Sequence, residues 1–557
     1  MIQPGVARGP APSSPTRRSD GGTRWLCALL LLPACGEPPP PADDDDATTE
    51  PPPGEWTLHD EVVCADPAPS LALTEEAFVR GVVPDTSNRV GPGGAEWVVL
   101  TVAAADLDGD DDVDLLFGSA GAEPQIFEND GAGHFDAVAA APFPNGPFPA
   151  AFAVADLTGD RLLDLLVFDQ QDLLVAPNLG GMQFGDYATV WDQPPAPSPH
   201  VSTLALGDVD GDGDLDVWLA GLEVFDGPNQ TAAASPDRLL LNDGGTFSLG
   251  AEFLPSGGPG LSIVAAFTDR DGDGDADVLA LSDRPQGLAP TAFWRNDGVV
   301  DGQPVLVDDA ADVGADLPLS GMGVAKADLN GDGDLDYCVT DTGPLVCLLS
   351  LDGGYVEGAA SLGLTQPDGI AGLWSGWSLE FVDLDADGHL DVPVAASAPG
   401  QNFAEDPKFA SQPNALFVGG LGGFVERGAE LGFDRGDPTF GLVAADLTGD
   451  GFPDLVTASP GAPATVSIAQ CTAGAWLQVE LVGPPGNSWG WGARVEIDDQ
   501  VREVSGPRGH GQGPGWVHAG LGDADEATVR VVWPDGEATE ATVGTRRRVT
   551  VRHPSLL

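Results

Sequence analysis

The chain has 557 residues, of which 87 are Asp or Glu and only 23 are Lys or Arg, so its formal net charge at pH 7 is −64. A charge of that size and sign argues against binding nucleic acid or an anionic membrane surface by bulk attraction. The length is enough for two or more domains with substantial cores, and general adaptation to salt is an alternative source of part of the acidity.

The first 35 residues are predicted to be an export signal. Arg17, Arg18 and Arg24 precede the apolar run 25–32, which is too short to cross a bilayer as a helix. The run leads into Leu-Pro-Ala-Cys-Gly at 32–36, which resembles the lipobox of bacterial lipoproteins and implies lipid attachment at Cys35. An ordinary secretory signal is the alternative. Either signal predicts export, to the cell surface or periplasm if the chain is lipidated and to the medium if it is not.

Residues 36–56 are predicted to be a disordered tether. The segment is dominated by the runs Pro38–Pro41, Asp43–Asp46 and Pro51–Pro53 and has too few apolar residues to bury a core. Prolines stiffen such a chain and like charges extend it, so it suits a spacer between a membrane anchor and a folded domain.

From residue 57 onward the sequence is organised around a nine-residue acidic loop. Its clearest copy is Asp208–Asp216, which has carboxylates at positions 1, 3, 5 and 9 and glycines at positions 4 and 6. Ca2+ takes roughly six to eight oxygen ligands, which alternate side chains, the position-7 carbonyl and position 9 can supply. Glycine at position 6 permits the sharp reversal of the chain. The pattern predicts a Ca2+ site, although a single copy would read equally well as a solvated acidic turn.

Seven copies occur, and their first positions are 50 to 63 residues apart, which is typical of a repeat architecture. Up to seven structural Ca2+ ions are therefore expected. Position 3 is Thr158 in loop 2 and Thr448 in loop 7. The predicted metal ligands are Asp106, Asp108, Asp110 and Asp114 in loop 1; Asp156, Asp160 and Asp164 in loop 2; Asp208, Asp210, Asp212 and Asp216 in loop 3; Asp269, Asp271, Asp273 and Asp277 in loop 4; Asp328, Asn330, Asp332 and Asp336 in loop 5; Asp383, Asp385, Asp387 and Asp391 in loop 6; and Asp446, Asp450 and Asp454 in loop 7.

Each loop is predicted to join two buried strands. An EF-hand would need Glu at position 12, but these loops carry apolar residues or Thr457 there, inside short apolar runs. A third strand follows and ends in Asn-Asp-Gly or a similar turn, which favours a hairpin to a weaker fourth strand. Four antiparallel strands in each of seven units predict an all-β, seven-bladed β-propeller over residues 57–472.

These repeats resemble the FG-GAP family, also called VCBS repeats, whose Asp-rich loops bind Ca2+ in propellers. The resemblance covers about residues 70–472, and loops 3, 4 and 5 match its pattern fully. Four residues depart from the pattern: Asp111 in loop 1, Arg161 and Leu162 in loop 2, and Ala386 in loop 6. Together with the two threonines, these departures predict weaker binding in the affected loops, above all in loop 2.

A closed ring needs a fourth strand for the seventh unit, and residues 71–82 are predicted to supply it. That closure brings Cys64 near Cys471, while Cys338 and Cys347 face each other across a hairpin. Exported proteins can keep such disulfides, and cross-strand cysteines can meet the bond geometry. Four buried free thiols are the alternative.

Residues 473–557 read as a separate β-rich domain. They contain Gly-Ala-Arg-Val at 492–495, Gly-Leu-Gly at 520–522 and Trp-Pro-Asp-Gly at 533–536. The blocks resemble, in the same order, the ASPIC/UnbV domain that follows FG-GAP propellers in cartilage acidic protein and in many bacterial secreted proteins. The segment 509–512 departs from that pattern. The resemblance implies a small domain that caps the propeller.

The predicted function is recognition or adhesion at the cell surface, with a protein or glycan ligand and contact with a membrane only through the lipid. The longest insertions are 221–237, 282–291 and 397–414, all between the second and third strands of a unit. They would lie on the face opposite the metal loops, where binding loops on a rigid scaffold are common. Trp374 and Trp377 before loop 6 can stack on a sugar or fill a core, and the core is favoured.

A polysaccharide-acting enzyme, or an accessory subunit of one, is the alternative function. An enzyme needs a base, an acid and an electrophile that converge, and no nucleophile elbow, zinc helix or phosphate loop is visible in the sequence. The histidines are scattered, so no catalytic residue is assigned. They are His59, His134, His200, His389, His510, His518 and His553.

Overall fold

The structure is a computed structural model. It describes residues 54–84, 100–119, 124–138, 151–169, 172–192, 199–226, 231–234, 236–254, 261–282, 290–368, 370, 374–397, 412–459 and 462–557. The predicted signal, the lipid site at Cys35 and nearly all of the predicted tether lie outside these residues. Within the described ranges, every helix is too short or too polar to cross a membrane.

The described chain is all-β, as predicted, because short apolar runs between turn residues form strands throughout. Two short strands, β1 (Trp56–Leu58) and β2 (Leu73–Glu75), come first. Sheet 1 then contains β3 (Leu100–Ala105), β4 (Asp114–Ser119), β5 (Gln125–Asn129) and β6 (Phe135–Ala137). Sheet 2 contains β7 (Ala151–Ala155), β8 (Asp164–Phe168), β9 (Asp172–Ala176) and β10 (Ala188–Asp192).

Sheets 3 and 4 repeat this order. Sheet 3 contains β11 (Pro199–Gly207), β12 (Asp216–Asp226), β13 (Thr231–Ala234), β14 (Asp237–Asp243) and β15 (Thr246–Phe253), where β13 pairs only with the extended end of β12. Sheet 4 contains β16 (Ser262–Thr268), β17 (Asp277–Ser282), β18 (Ala292–Val300) and β19 (Gln303–Asp308), followed by the short helix α1 (Ala310–Val313).

Three more sheets complete the series. Sheet 5 contains β20 (Val324–Ala327), β21 (Asp336–Val339), β22 (Val346–Leu351) and β23 (Gly354–Glu357), followed by α2 (Ala359–Leu362). Sheet 6 contains β24 (Gly376–Leu379), β25 (Val392–Ala396), β26 (Ala415–Val418) and β27 (Val425–Glu426), followed by α3 (Gly428–Leu431). Sheet 7 contains β28 (Gly441–Ala445), β29 (Asp454–Ala458), β30 (Thr465–Ala469) and β2.

Neighbouring sheets meet along their first strands. In the described chain β28 contacts β3, β3 contacts β7, β7 contacts β11, β11 contacts β16, β20 contacts β24 and β24 contacts β28. The first strands of sheets 4 and 5 are linked by Lys326 on β20, whose ammonium group donates to the carbonyl of Phe267 on β16 at 2.6 Å. Each acidic loop joins the first and second strands of its sheet, so the seven loops lie at the same end of their sheets.

The N-terminal segment completes sheet 7. Strand β2 pairs antiparallel with β30, with Leu73 opposite Ala469, which confirms the predicted origin of the outer strand. Close by, Cys64 and Cys471 form a disulfide across 407 residues of sequence. Cys338 and Cys347 form a second disulfide between β21 and β22. Both predicted cysteine pairs are therefore bonded in the structure.

In the C-terminal unit, residues 473–557, seven strands form two further four-stranded sheets together with β1, and an eighth strand is added to the edge of sheet 1. The two sheets have the orders β1-β38-β31-β35 and β33-β32-β36-β37. The strands are β31 (Ala475–Val482), β32 (Arg494–Ile497), β33 (Gln500–Glu503), β34 (Gly511–Gln512), β35 (Val517–Gly522), β36 (Glu526–Val532), β37 (Ala538–Gly544) and β38 (Arg547–Arg552), and a 3-10 helix Pro554–Leu556 ends the chain.

Two boundary expectations differ from the structure. The tether was expected to end at residue 56 and the propeller to begin at residue 57. Instead, residues 56–58 form β1, which pairs with β38, and Trp56 is buried among C-terminal residues. The C-terminal unit is not separate either. Its core, including Val479 and Val495, is continuous with Leu204 and Leu206 of sheet 3, and both parts belong to one compact unit.

The two disulfides should differ in their effect on stability. In the chain-entropy model, a bond that closes 407 residues contributes about 6 kcal/mol, and one that closes 9 residues contributes about 2.5 kcal/mol. We expect C64S/C471S to lower the thermal midpoint more than C338S/C347S does, measured by calorimetry at fixed Ca2+. Equal shifts would contradict the entropic origin.

Candidate metal centres

The seven loops share one backbone path. Positions 4 and 6 have positive φ in every loop, in the left-handed region that glycine enters without strain. The residues that depart from glycine still adopt this conformation: Asp111 has φ 75°, Arg161 has φ 71° and Ala386 has φ 55°. The backbone reversal is thus kept where the sequence pattern is broken, at a cost in strain for Arg161 and Ala386.

The position-1 aspartate organises the loop from inside. In loop 1, Asp106 accepts the backbone N–H groups of Gly109 at 2.7 Å, Asp110 at 3.2 Å and Asp111 at 3.0 Å. At position 5, Asp110 accepts the N–H of Asp112 at 3.1 Å. The position-5 bond recurs in the other loops, and every other position-1 aspartate likewise accepts at least one N–H from its own loop. These hydrogen bonds hold each loop in the same folded path.

The position-9 aspartate fastens the loop to the sheet. Asp114 accepts the N–H of Leu107, at position 2 of the same loop, at 2.9 Å and the N–H of Asn129, on the third strand, at 2.9 Å. The same two bonds occur in all seven sheets. Position 9 was predicted only to close the metal site, and the structure gives it this additional anchoring role.

Four loops bring three carboxylates to one centre, with ligand atoms within 4.8 Å of one another. Loops 1, 3 and 6 do so with positions 1, 3 and 9, and loop 4 does so with positions 1, 3 and 5. The gathered residues are Asp106, Asp108 and Asp114; Asp208, Asp210 and Asp216; Asp383, Asp385 and Asp391; and Asp269, Asp271 and Asp273. Loop 6 therefore forms a cluster despite Ala386.

The remaining oxygens of these clusters fit a hard cation. In loop 1, Asp108 Oδ1 is buried and has no hydrogen-bond partner, and the same holds in loop 3 for Asp208 Oδ1 and Asp210 Oδ1. A buried acceptor without a donor is costly, and an all-oxygen set of this kind is the donor set that Ca2+ prefers. Asp108 in loop 1 would bind one ion, and Asp208 and Asp210 in loop 3 would bind another. Each ion would take the place of the missing hydrogen-bond donors.

The other predicted ligands do not form such three-carboxylate groups among the described residues. Loops 2 and 7 have threonine at position 3. In loop 5, the amide of Asn330 donates to Asp332 at 3.1 Å and to the carbonyl of Ser350 at 3.0 Å, while the Ser350 hydroxyl donates to Asp332 at 2.8 Å. Loop 5 matches the family pattern fully, yet its polar groups satisfy one another through a serine that the sequence reasoning missed.

Burial raises the pKa of the anchoring carboxyls. It raises the pKa of Asp114 and Asp216 to about 8, of Asp277 to about 7 and of Asp164 to about 6, against an ordinary value of 3.8. Neighbouring carboxylates add to the effect, and the backbone N–H groups oppose it. The pKa of Asp108 also rises to about 6, for reasons of burial and of charge on Asp110 and Asp106.

The C-terminal unit covers the face on which the loops lie. Polar contacts reach five loops: Arg548 pairs with Asp111 at 3.1 Å, Glu503 accepts the N–H of Asp269 at 3.2 Å, Arg494 donates to Gly333 O at 2.6 Å, Gly522 N donates to Ala386 O at 3.1 Å, and Gln478 donates to Asp446 at 3.1 Å. Loops 2 and 3 pack against Pro485 and Gly486. All seven loops therefore contact this unit.

Residues 503–512, here called the central segment, run along the first strands of the sheets. Strand β34 pairs parallel with β3, and the Gln512 side chain makes two hydrogen bonds to Val154 on β7, at 2.7 and 3.0 Å. Arg508 donates to Glu380, next to β24, at 2.7 Å. Glycines allow close approach elsewhere: a Cβ on Gly506 would lie 3.3 Å from Leu206 O, and one on Gly511 only 2.0 Å from Leu442 O.

Glu503 and Lys326 form a buried ion pair at the base of this segment. Their side chains are 3% and 1% exposed, and Glu503 also accepts the Thr268 hydroxyl at 3.0 Å. Burial lowers the pKa of Lys326, and the charge on Glu503 opposes that shift. Gly509 packs against Val264 and Met322. Together, these contacts bring the central segment to the first strands of all seven sheets or to the residues next to them.

The remaining residues considered for chemistry are structural or dispersed. Trp374 and Trp377 are buried, with 0% and 4% exposure, and their indole N–H groups donate to the carbonyls of Pro413 and Ser397. His510 is buried in the central segment beside Trp377, and burial lowers its pKa to about 4. These tryptophans are core residues, which confirms the favoured interpretation.

Family models match the chain in five places. An FG-GAP-like repeat model matches residues 106–167, 156–219 and 328–394, an FG-GAP repeat model matches 439–475, and an ASPIC and UnbV model matches 483–556. The chain therefore contains FG-GAP repeats and an ASPIC/UnbV domain, as the sequence blocks predicted. No curated protein matches it in sequence.

Three solved structures resemble the chain at low identity. An Agrocybe aegerita lectin described as recognising non-reducing terminal N-acetylglucosamine is 18% identical, with TM-score 0.35, over 65% of this chain and 84% of that one. BBS1N in complex with ARL6DN is 11% identical, with TM-score 0.42, over 72% and 96%. The Dos1 propeller is 10% identical, with TM-score 0.38, over 74% and 93%.

Stability without cations should fall as pH rises. The pKa values of Asp114 and Asp216 are about 8 in the folded state and near 3.8 when unfolded, so the folded state binds more protons between those values. Stability is then greatest near the lower value and is lost as pH rises toward the upper one. In chelator, we expect the thermal midpoint to decrease from about pH 5 to pH 8, and added Ca2+ to reduce that decrease. A midpoint that rises with pH in chelator would contradict this assignment.

Lys326 should be needed to hold the central segment. K326M leaves the Glu503 carboxylate buried without its cation, which typically costs about 3–5 kcal/mol. We expect a large fall in the unfolding midpoint, partly restored by K326M/E503Q because the second change removes the unpaired charge. Denaturant unfolding measures both variants. Equal loss in the single and double variants would show that the pair's charge is not the cause.

Proposed function

We propose that sheets 1 to 7 are the blades of one closed propeller and that the protein is an exported, Ca2+-binding recognition module. The single observation that supports this function best is the position of the C-terminal unit. It occupies the loop face and fills the space along the first strands, so the opposite face is the one left for a partner.

The calcium part of the proposal is supported by the loops. Four of them gather three carboxylates each, and two of those contain buried oxygens without a hydrogen-bond partner. When bound, Ca2+ would neutralise each cluster and fix the hairpin between the first and second strands of its sheet. We expect full sites in loops 1, 3, 4 and 6 and weaker ones in loops 2, 5 and 7, to a maximum of seven ions.

Export is supported by the two disulfides, because such bonds persist in oxidising compartments and are rare in the cytosol. The Leu-Pro-Ala-Cys-Gly block at 32–36 favours a lipoprotein with Cys35 as the attachment site. Metabolic labelling with a radioactive fatty acid should mark the wild type and not C35S, whereas a secreted, unlabelled wild type would favour an ordinary signal.

Partner binding is assigned to the face opposite the loops. The described hairpin of β12 and β13 extends sheet 3 on that side. The insertions 282–291 and 397–414 leave their sheets at the same end, although their central parts lie outside the described residues. Protein or glycan is the expected ligand class, because long loops on a rigid scaffold are suited to recognition.

Calcium dependence is tested by a thermal melt of the full mature chain in Ca2+ and in chelator. We expect a lower midpoint in chelator, since the folded state alone presents the assembled sites. D208N/D210N should shrink the difference by removing loop 3. An equally conservative change outside the loops, D352N in the turn after β22, serves as the control. Identical midpoints with and without Ca2+ would refute the structural role.

The binding face is tested by loop replacement. Short Gly-Ser turns replace residues 222–236, 283–289 and 398–411, and binding to cells and to a glycan array is compared with E540K, a change on exposed β37 of the C-terminal unit. We expect the replacements to abolish binding at an unchanged thermal midpoint and E540K to leave binding intact. The reverse result would place the partner on the C-terminal unit, and turnover of a polysaccharide would favour an enzyme.

A further inference from the structure

Four asparagines on or just after the third strands contact the loops in a way that their sequence context does not suggest. Asn129, Asn178, Asn242 and Asn296 sit in or beside turn sequences, yet all four are buried, with 1% to 5% exposure. Each donates its backbone N–H to the position-9 aspartate of its own loop. Their side chains are therefore buried against the loops and not in solvent.

Three of these side chains connect two loops. The Asn129 amide donates to Val113 O of loop 1 and to Leu447 O of loop 7, both at 2.9 Å. The Asn178 amide donates to Leu163 O of loop 2 at 3.1 Å and to Leu107 O of loop 1 at 2.8 Å.

The Asn296 amide does the same between loops 4 and 3, donating to Ala276 O at 3.2 Å and to Val209 O at 2.9 Å. The orientation of each amide is fixed from its other side, because the side-chain oxygens of Asn129, Asn178 and Asn296 accept backbone N–H groups.

The bonds join into continuous chains. From Asp164, the path runs through the Asn178 backbone N–H and side-chain amide to Leu107, whose own N–H is held by Asp114 at 2.9 Å. It continues through Asn129 to Leu447, whose N–H is held by Asp454 at 3.0 Å. Loops 2, 1 and 7 are thereby linked through their position-9 carboxylates.

A second chain links loops 4 and 3. It runs from Asp277 through Asn296 to Val209, whose N–H is held by Asp216 at 2.9 Å. Asn242, next along the ring, donates its amide to Leu215 O of its own loop at 3.2 Å. At the same register, loops 5, 6 and 7 have Ser350, Gly419 and Ala469, whose backbone N–H bonds to position 9 are kept.

We propose that Asn129, Asn178 and Asn296 are positioning residues that couple cation binding between neighbouring loops, in one group of loops 2, 1 and 7 and a second group of loops 3 and 4. This inference rests on the proposed calcium function. A cation in loop 1 fixes Asp114, and through the two amides it fixes position 2 of loop 7 and the position-9 anchor of loop 2. Loop 1, with its three gathered carboxylates, then assists two neighbours whose own ligand sets are poorer. Contiguous hydrogen-bond networks are one physical route for such coupling.

The test counts bound Ca2+ by equilibrium dialysis of the full mature chain below saturation. D106N disables loop 1, and D383N disables loop 6, which has its own three-carboxylate cluster but lies in neither group. We expect D106N to cost more than one bound ion and D383N to cost one. In an N129A/N178A background, D106N should cost only its own ion, because the links to loops 2 and 7 are gone. Alanine is suitable because Ala469 occupies this register in sheet 7.

Two further variants isolate the links. N129A alone should weaken binding in loop 7, and N178A alone in loop 2, by about 5-fold or more, the lower end of typical coupling between sites. N242A, whose amide stays within loop 3, should leave the other loops unchanged. Equal losses for D106N and D383N in the wild-type background would overturn the coupling while leaving calcium binding intact. A wild type that binds no Ca2+ would overturn the calcium proposal itself, and native thermal midpoints in saturating Ca2+ would confirm that each variant is folded.

Discussion

The structure depends on how carboxylates are held close together on one face. Bringing several like charges into contact is unfavourable, and burial makes it more so. Backbone N–H groups offset part of this cost: each position-1 aspartate accepts bonds within its loop, and each position-9 aspartate accepts one from the loop and one from the third strand. Position 3 is helped less consistently. Asn330 accepts the N–H of Asp332 at 2.8 Å, but Asp108 Oδ1 and Asp210 Oδ1 have no hydrogen-bond partner. The oxygens left over at Asp108 and Asp210 are those that call for a cation. The loop backbone is therefore held by its own hydrogen bonds, and in the proposed function a cation would satisfy the remaining oxygens.

Local patterns in the sequence predicted much of this arrangement. The acidic loops, the apolar runs around them and their recurrence predicted sheets of four strands, because strand alternation and turn residues act over short distances. The closing strand β2 was also found, since sheet 7 lacked a fourth strand in its own segment. The family resemblances predicted the repeats and the C-terminal domain where the models match them.

What the sequence did not predict depends on contacts between distant residues. The central segment could not be anticipated, because Glu503 meets Lys326 across 177 positions and neither carries a local sign of the other. One signal was present: Lys326 is one of only two lysines and lies in the apolar strand Val324–Ala327. The asparagines were interpreted only as turn residues, since their second role needs the neighbouring sheet. Loop 5 matches its family pattern with Asn330 at position 3, and the hydrogen bonds that Ser350 makes to Asp332 and accepts from Asn330 are not part of that pattern.

The N-terminal strands have a consequence for how the protein is made. Strand β1 pairs with β38 and β2 pairs with β30, so residues near the start of the chain complete sheets built from residues near its end. During vectorial synthesis or translocation these first segments emerge long before their partners, and they stay without them until the last strand follows. The two sheets that contain β1 and β2 can therefore be completed only after the C-terminal strands have been made. The Cys64–Cys471 bond can form only after residue 471 has been made, so it belongs to the same late stage.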